Sequence, residues 1–309
     1  MKGKNFWLWL IITIALLLIL FWQFQKNWFL IPFLKPPAVL NFSPYPLAKQ
    51  NSMPDLSQIS AKSFVVIDYD SGQVLLARNP NQRLLPASLT KMMTALIALE
   101  SFSLDEWLSV ENEYKIGKTM GLKPGGMIKV RDLIYGLLIH SANDAAWVLA
   151  DNYNKKNSNN FIQRMNEKAK EIGLQQTNFV NFDGEDDEGH YSTALDLAKL
   201  TRIFLKNDFL ANAVQIKNLT VYDSLNNAYF LETTNKLLEA GFEGVKTGWT
   251  DQARECFAGF FSQNGKKLIT IVLGSQDRFH DTQNLLDQVM EHFFWIDYSE
   301  RNSGETAST

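Results

Sequence analysis

The sequence predicts an α/β body in which one sheet is assembled from both ends and a helical segment is inserted between them. Three observations predict it. Runs rich in β-branched and aromatic residues occur at 64–78 and return after residue 215, whereas 87–205 carries mostly helical periodicity. Strands at both ends with helices between them favour one shared sheet over alternating parallel units. The chain has 309 residues, 46% of them hydrophobic and 20% charged, enough for a buried core and too apolar for disorder. One cysteine excludes an internal disulfide framework, and a net charge of -3 leaves no electrostatic footprint for nucleic acid.

The averages conceal three parts. Residues 6–24 form an apolar run whose only polar members are Thr13 and Gln23. At ~1.5 Å per residue it is long enough to cross a hydrocarbon layer of about 30 Å. Trp7, Trp9, Trp22 and Trp28 lie near its ends, where an aromatic belt belongs. Lys2 and Lys4 would also suit a cleaved signal peptide, but Gln23-Phe24-Gln25-Lys26 offers no small-residue cleavage site. The run therefore reads as an uncleaved transmembrane anchor preceded by a short cytoplasmic 1–5. Lys26 and Lys35 nearly balance Lys2 and Lys4, so charge alone does not orient it. Residues 25–60 hold six of the nine prolines and read as an extended linker. Beyond residue 60 the chain is acidic, with 25 basic against 32 acidic residues.

The body, 61–296, opens with Phe64–Asp68 and Gln73–Arg78 flanking Asp70-Ser71-Gly72, a hairpin signal. Helices are expected over Ala87–Glu100, Val130–Ile139, Asn143–Asn152, Phe161–Ile172 and Thr193–Leu205, the last capped by Ser192 or Thr193. Strands follow at Ala228–Thr233, Phe257–Ser262 and Lys267–Leu273, then a helix over Thr282–Phe294. The polar 297–309 reads as a disordered tail.

Three short stretches carry chemistry. Ser88 and Lys91 lie three apart at the start of the first helix, so both side chains share one face. A serine hydroxyl needs a base, and a lysine serves only if burial or neighbouring cations depress its pKa. The helix start adds free amides suited to an oxyanion. Ser141-Ala142-Asn143 falls between two helices, and Lys246-Thr247-Gly248 heads a strand, where a cation and a hydroxyl could hold a carboxylate. Glycine there allows close approach of a substrate backbone. Each triplet alone is common. SxxK, SxN and KTG in that order, each in a suitable local context, are specific to β-lactamases and penicillin-binding proteins.

On these residues the chain resembles the serine-type D-alanyl-D-alanine carboxypeptidases, the low-molecular-mass penicillin-binding proteins. The likeness extends to VVIDYDSGQVLLARNPNQRLLPASLTKMMTALIALE, MGLKPGGMIKVRDLIYGLLIHSANDAA, NFDGEDDEGHYSTALDLAKL, TNKLL and VLGSQDRFHDTQNLLD, covering about 60–296. The resemblance implies an α/β fold of the β-lactamase/DD-peptidase type, an antiparallel sheet flanked by helices with an inserted all-helical subdomain. It implies that Ser88 is the nucleophile, Lys91 its base, and Ser141 with Lys246 a proton relay to the leaving amine. Asn143 would hold the substrate's peptide amide, and Thr247 its terminal carboxylate, supported by Arg278. The backbone amides of Ser88 and Trp249 would form the oxyanion hole beside Gly248. The substrate would be a peptidoglycan stem peptide, β-lactam antibiotics would be inhibitors, and no metal or other cofactor is expected. The body would then lie outside a cell membrane, on a single-pass N-terminal anchor, with Lys2 and Lys4 inside.

Two positions depart from the family pattern. Ala142 replaces a glycine, and Arg254-Glu255 follows Ala253 where a glycine is usual, which bears on the pocket's shape. The acidic stretch Asp183–Glu188 with His190 reads as a solvated loop rather than a metal site, and His140 and His280 lack ligand spacing. Cys256 reads as a small buried residue. A D,D-endopeptidase remains open, since it differs only in how much of the acyl-acceptor side the cleft admits. A β-lactamase is disfavoured, because no glutamate motif for deacylation occurs between Asn143 and Lys246. A catalytically silent wall-binding protein is the remaining alternative.

Overall fold

The computed structural model describes residues 13–23, 44–50 and 52–296. Residues 13–23 form a helix, α1, within the expected membrane run; the rest of 6–24 lies outside the described residues, as do 1–5, most of the linker and 297–309. No helix among the described residues is long and apolar enough to cross a membrane.

The described part of the body runs from Pro44 to Ile296. Strands β2 (Ser63–Asp68) and β3 (Val74–Arg78) form the expected hairpin. Three long strands close the sheet: β8 (Phe242–Thr250), β9 (Arg254–Gln263) and β10 (Lys266–Ser275). Their order is β3-β2-β10-β9-β8, every pair antiparallel. The β2–β10 pairing is what joins the two ends of the body.

β2 is buried throughout, which is why its centre, Phe64–Ile67, is continuously apolar instead of alternating. Successive side chains point to opposite faces. Val65 and Ile67 join the large core with helices α2 (Lys91–Ser101) and α6 (Ala194–Phe204), whereas Phe64 and Val66 pack with Leu285 and Val289 of α8 (Arg278–His292). Helices thus cover both faces.

The inserted region holds a two-stranded β4 (Trp107–Ser109) and β5 (Met127–Lys129), then α3 (Val130–Tyr135), α4 (Asn143–Lys156), α5 (Phe161–Glu171), α6 and α7 (Asp208–Ala213). Side chains cap the starts: Asn160 accepts from the Gln163 amide, Thr193 from Asp196 and Asn207 from Leu210. A second hairpin, β6 (Asn218–Tyr222) with β7 (Ala228–Glu232), stands apart from the main sheet, so the strand expected at 228–233 forms but does not extend it.

Four boundaries differ from expectation. The helix expected from Ala87 begins as a 3-10 turn, Ala87–Thr90, and becomes α-helical only at Lys91. α3 passes into a π-helical turn at Gly136–His140. α8 starts at Arg278, four residues early, because Asp277 accepts from the amides of Phe279 and His280. The linker expected to run to residue 60 is already part of the body. β1 (Tyr45–Ala48) pairs antiparallel with β11 (Phe293–Ile296). Pro46 is tolerated because this two-stranded pair leaves its missing donor on a free edge. Arg78 then pins the following segment, donating to the carbonyls of Leu56 and Ile59 at 2.6 Å each, while Ser60 donates to Asp281.

Candidate active site

The SxxK stretch meets the KTG strand where the 3-10 turn packs on β8. Ala87 has φ +50°, a left-handed conformation that turns Ser88 toward the cleft. A Cβ on Gly248 would lie 3.0 Å from Ala87 Cβ and 3.1 Å from the Ser88 nitrogen, so a larger residue would push this turn away from β8. Ser88 is half-buried, and Lys91 Nζ donates to its Oγ at 2.9 Å and to the Asp183 carbonyl at 2.5 Å. Lys91 is fully buried, and desolvation pushes its pKa down to about 8 despite the pull of Asp183, Glu185 and Asp144.

Ser141 follows the π-helical turn with φ +64°, and its Oγ accepts from Lys246 Nζ at 2.8 Å. Lys246 also donates to the Thr247 carbonyl at 2.9 Å. Burial first, then the charges of Lys91, Arg278 and Lys118, hold Lys246 well below an ordinary lysine. The KTG triplet lies in the second half of β8 instead of at its head, because the strand begins at Phe242. Thr247 Oγ1 shares a hydrogen bond with Thr234 Oγ1 at 2.5 Å, and Arg278 Nη1 donates to the Gly248 carbonyl at 2.5 Å.

Asn143 begins α4. Its Nδ2 donates to the Ile116 carbonyl at 3.1 Å and to Glu185 Oε1 at 2.7 Å, which fixes the amide orientation, since both partners only accept. Asp144, also buried, receives the amides of Met120, Gly121 and Leu122 at 2.9–3.0 Å and so ties down the loop that carries Gly117 and Lys118.

A cleft of about 470 Å³ gathers these groups. All nine sequence-predicted residues line it or touch a lining hydroxyl: Ser88, Ser141, Asn143, Thr247, Gly248, Trp249 and Arg278 on its wall, and Lys246 behind Ser141. Lys91 completes the set from behind Ser88. Trp249 is 56% exposed at the mouth.

Sequence reasoning missed the loop Asp183–Glu188. It is not a solvated acidic loop throughout: Asp183 is buried, accepting from Trp147 Nε1 at 3.0 Å, and Glu185 and Asp186 line the cleft. Asp186 accepts from Thr250 Oγ1 at 2.6 Å, linking the loop to β8. Gly184, at φ +88°, presses so closely that a Cβ would fall 2.1 Å from the Ala87 carbonyl oxygen. His190 accepts from the Val180 amide through Nδ1, so Nε2 carries the proton and donates to Thr90 Oγ1 at 2.8 Å. Burial pushes its pKa down to about 4, which keeps it neutral. A loop whose acids pass from buried Asp183 to exposed Asp187 and Glu188 shows no periodicity to flag it.

Of the Arg254-Glu255 departure, Arg254 is exposed at the β8–β9 turn and does not line the cleft. Glu255 is half-buried behind Arg278, and its Oε2 accepts from the Arg278 amide at 2.8 Å. Cys256 is buried, and desolvation pushes its thiol up to about 11. No group of three or more potential metal ligands occurs among the described residues.

The sequence pattern described as D-alanyl-D-alanine carboxypeptidase matches residues 48–277. The chain is 33% identical over 248 residues to D-alanyl-D-alanine carboxypeptidase DacF of Bacillus subtilis, across 77% of this chain and 63% of that protein. It is 30% identical over 264 residues to DacC of Escherichia coli, across 79% of this chain and 64% of the relative. It therefore spans a little over three-fifths of the curated relatives it matches. Among solved structures it is similar to the Streptomyces K15 DD-transpeptidase, at TM-score 0.72 and 28% identity over 77% of this chain and 99% of that one. It is also similar to penicillin-binding protein D2 of Listeria monocytogenes in its ampicillin-bound form, at TM-score 0.68 and 32% identity over 77% of this chain and 100% of that chain.

Proposed function

The chain belongs to the D-alanyl-D-alanine carboxypeptidase family, and from that premise we propose that it removes the terminal D-alanine of peptidoglycan stem peptides through an acyl-enzyme on Ser88. One observation carries this reading: two buried lysines in one cleft, each donating to a serine hydroxyl, Lys91 to Ser88 and Lys246 to Ser141.

Neutral Lys91 takes the Ser88 proton as Oγ attacks the carbonyl carbon between the two D-alanines. The resulting oxyanion is held by the backbone amides of Ser88 and Trp249, and the close seat of Gly248 against Ser88 supports that pairing. The proton passes through Ser141 and Lys246 to the leaving amine as the C–N bond breaks. Water then attacks the ester, giving its proton back through Lys91, and Ser88 is regenerated. Thr247 binds the terminal carboxylate, with Arg278 supplying positive charge behind Gly248. Asn143 Oδ1, left free by the two bonds of Nδ2, accepts a substrate N–H. A β-lactam acylates the same serine.

Labelling with a fluorescent penicillin, wild type beside Ser88→Ala, combined with D-alanine release from a pentapeptide, tests this reading. A folded wild type that neither labels nor releases D-alanine would overturn it. The apolar 6–24 run supports an N-terminal membrane anchor with the body outside the cytoplasm. Extraction of membranes with alkali would leave such a protein in the pellet and remove a merely adsorbed one.

A further inference from the structure

Three carboxylates that the chemistry above does not use line the cleft, Glu185, Asp186 and Asp251, and of these Glu185 is the one bonded to Asn143. Glu185 lies on its wall beside Asn143, with Oε1 held by Asn143 Nδ2 at 2.7 Å, while Oε2 makes no hydrogen bond among the described residues. The neighbouring Asp186 differs, because both of its oxygens are engaged, by Thr250 and by the Gln252 amide.

Glu185 is also rigidly placed. Asn181 Nδ2 donates to its carbonyl at 2.9 Å, and Asn181 Oδ1 accepts from the Gly184 amide at 2.8 Å. Gly184 is pressed against Ala87, and the Asp183 carbonyl accepts from Lys91. Gly117 leaves the space the contact needs: a Cβ there would lie 2.3 Å from Asn143 Nδ2 and 2.5 Å from Glu185 Oε1. An anion so fixed binds a cation with little ordering cost. Lys118, a cation that also lines the cleft, makes no ion pair with Glu185 among the described residues; burial lowers its pKa, with Glu232 opposing.

Resting on the carboxypeptidase reading, we propose that Glu185 is a specificity-determining residue that selects acyl donors carrying a free primary amine upstream of the D-alanyl-D-alanine end. Asn143 faces the acyl half of the substrate, whereas Thr247 and Arg278 face the departing D-alanine. A carboxylate bonded to Asn143 therefore meets the donor's upstream side chain and not the leaving group.

The test compares D-alanine release from Nα-acetyl-Lys-D-Ala-D-Ala and from the same peptide acetylated on the lysine amine. Wild type is expected to favour the free amine by about fivefold in kcat/KM at low salt, the size of a partly exposed ion pair. The ratio should fall toward one in Glu185→Gln and in ~0.5 M salt, where the Debye length shrinks to roughly a few ångströms. Any effect of Glu185 on Lys91 acts on both peptides alike, so the ratio isolates the contact with the donor. Salt on the wild type provides the same reading should the variant fold poorly. Equal rates on the two peptides would overturn the role of Glu185 while leaving the carboxypeptidase reading intact. Hydrolysis of neither peptide by folded protein would instead overturn the carboxypeptidase reading.

Discussion

Replacing Lys91 with methionine removes a buried amine and keeps much of its volume. In the folded protein the lysine is pushed down from 10.5 to about 8, chiefly by burial. A drop of that size, at ~1.4 kcal/mol per pH unit, corresponds to roughly 3 kcal/mol. The sign follows from proton counting. Between pH 8 and 10.5 the unfolded lysine is still protonated while the folded one is not, so the unfolded state binds more protons and stability rises with pH. The penalty is complete below about pH 8 and gone above 10.5. Lys91→Met escapes it but loses the bonds to Ser88 and to the Asp183 carbonyl, and an orphaned buried carbonyl costs ~1–3 kcal/mol. The two proteins should therefore be similar in stability at pH 7, or the variant slightly more stable, although it no longer acylates. The wild type should then gain roughly 3 kcal/mol on the variant by pH 10.5. Urea unfolding followed by tryptophan fluorescence, at half-unit steps from pH 7 to 10.5, measures this directly. Lys246 titrates in both proteins, and burial, the largest cause of its shift, is kept in the variant. A stability difference that stays flat across this range, or that moves against the wild type, would refute the assignment of Lys91 as a lysine neutralised by burial.

Three further outcomes are expected. The second-order rate of penicillin acylation should climb through a pH of about 8 as Lys91 loses its proton, which stopped-flow measurement from pH 6 to 10 would follow. Asp144→Asn turns an amide group toward backbone donors that now share a carboxylate, so it should cost ~2–5 kcal/mol in urea unfolding and slow acylation by loosening the 117–122 loop. Gly184→Ala would force a Cβ into the Ala87 carbonyl from a left-handed backbone, and acylation of the folded variant should slow about tenfold or more, read by fluorescent penicillin labelling.

Much of the fold was legible where the local signal and the tertiary outcome agree. The β2–β3 hairpin, β9, β10 and helices α4 to α6 lie within a few residues of where turn chemistry and periodicity put them. The boundaries that moved did so for identifiable reasons. Proline density argued for a linker around Tyr45–Ala48, yet partnering with Phe293–Ile296 made a strand of it, a pairing across nearly the whole body that no local window contains. Helix periodicity ran through Ala87, but contact with β8 bends the first turn and delivers Ser88 to the cleft.

The sequence by itself determined the chemistry available. Ser88 with Lys91, Ser141 with Asn143, and Lys246 with Thr247 are fixed by spacing of a few residues, and spacing on a helix or strand sets which side chains share a face. Only the tertiary structure decided their state. Burial of both lysines, the bond from Lys246 to a serine 105 positions away, and the placement of Glu185 on Asn143 arise from packing between distant segments. Desolvation and hydrogen-bond partnering depend on what the completed fold excludes from water, and a residue's sequence neighbours do not specify that.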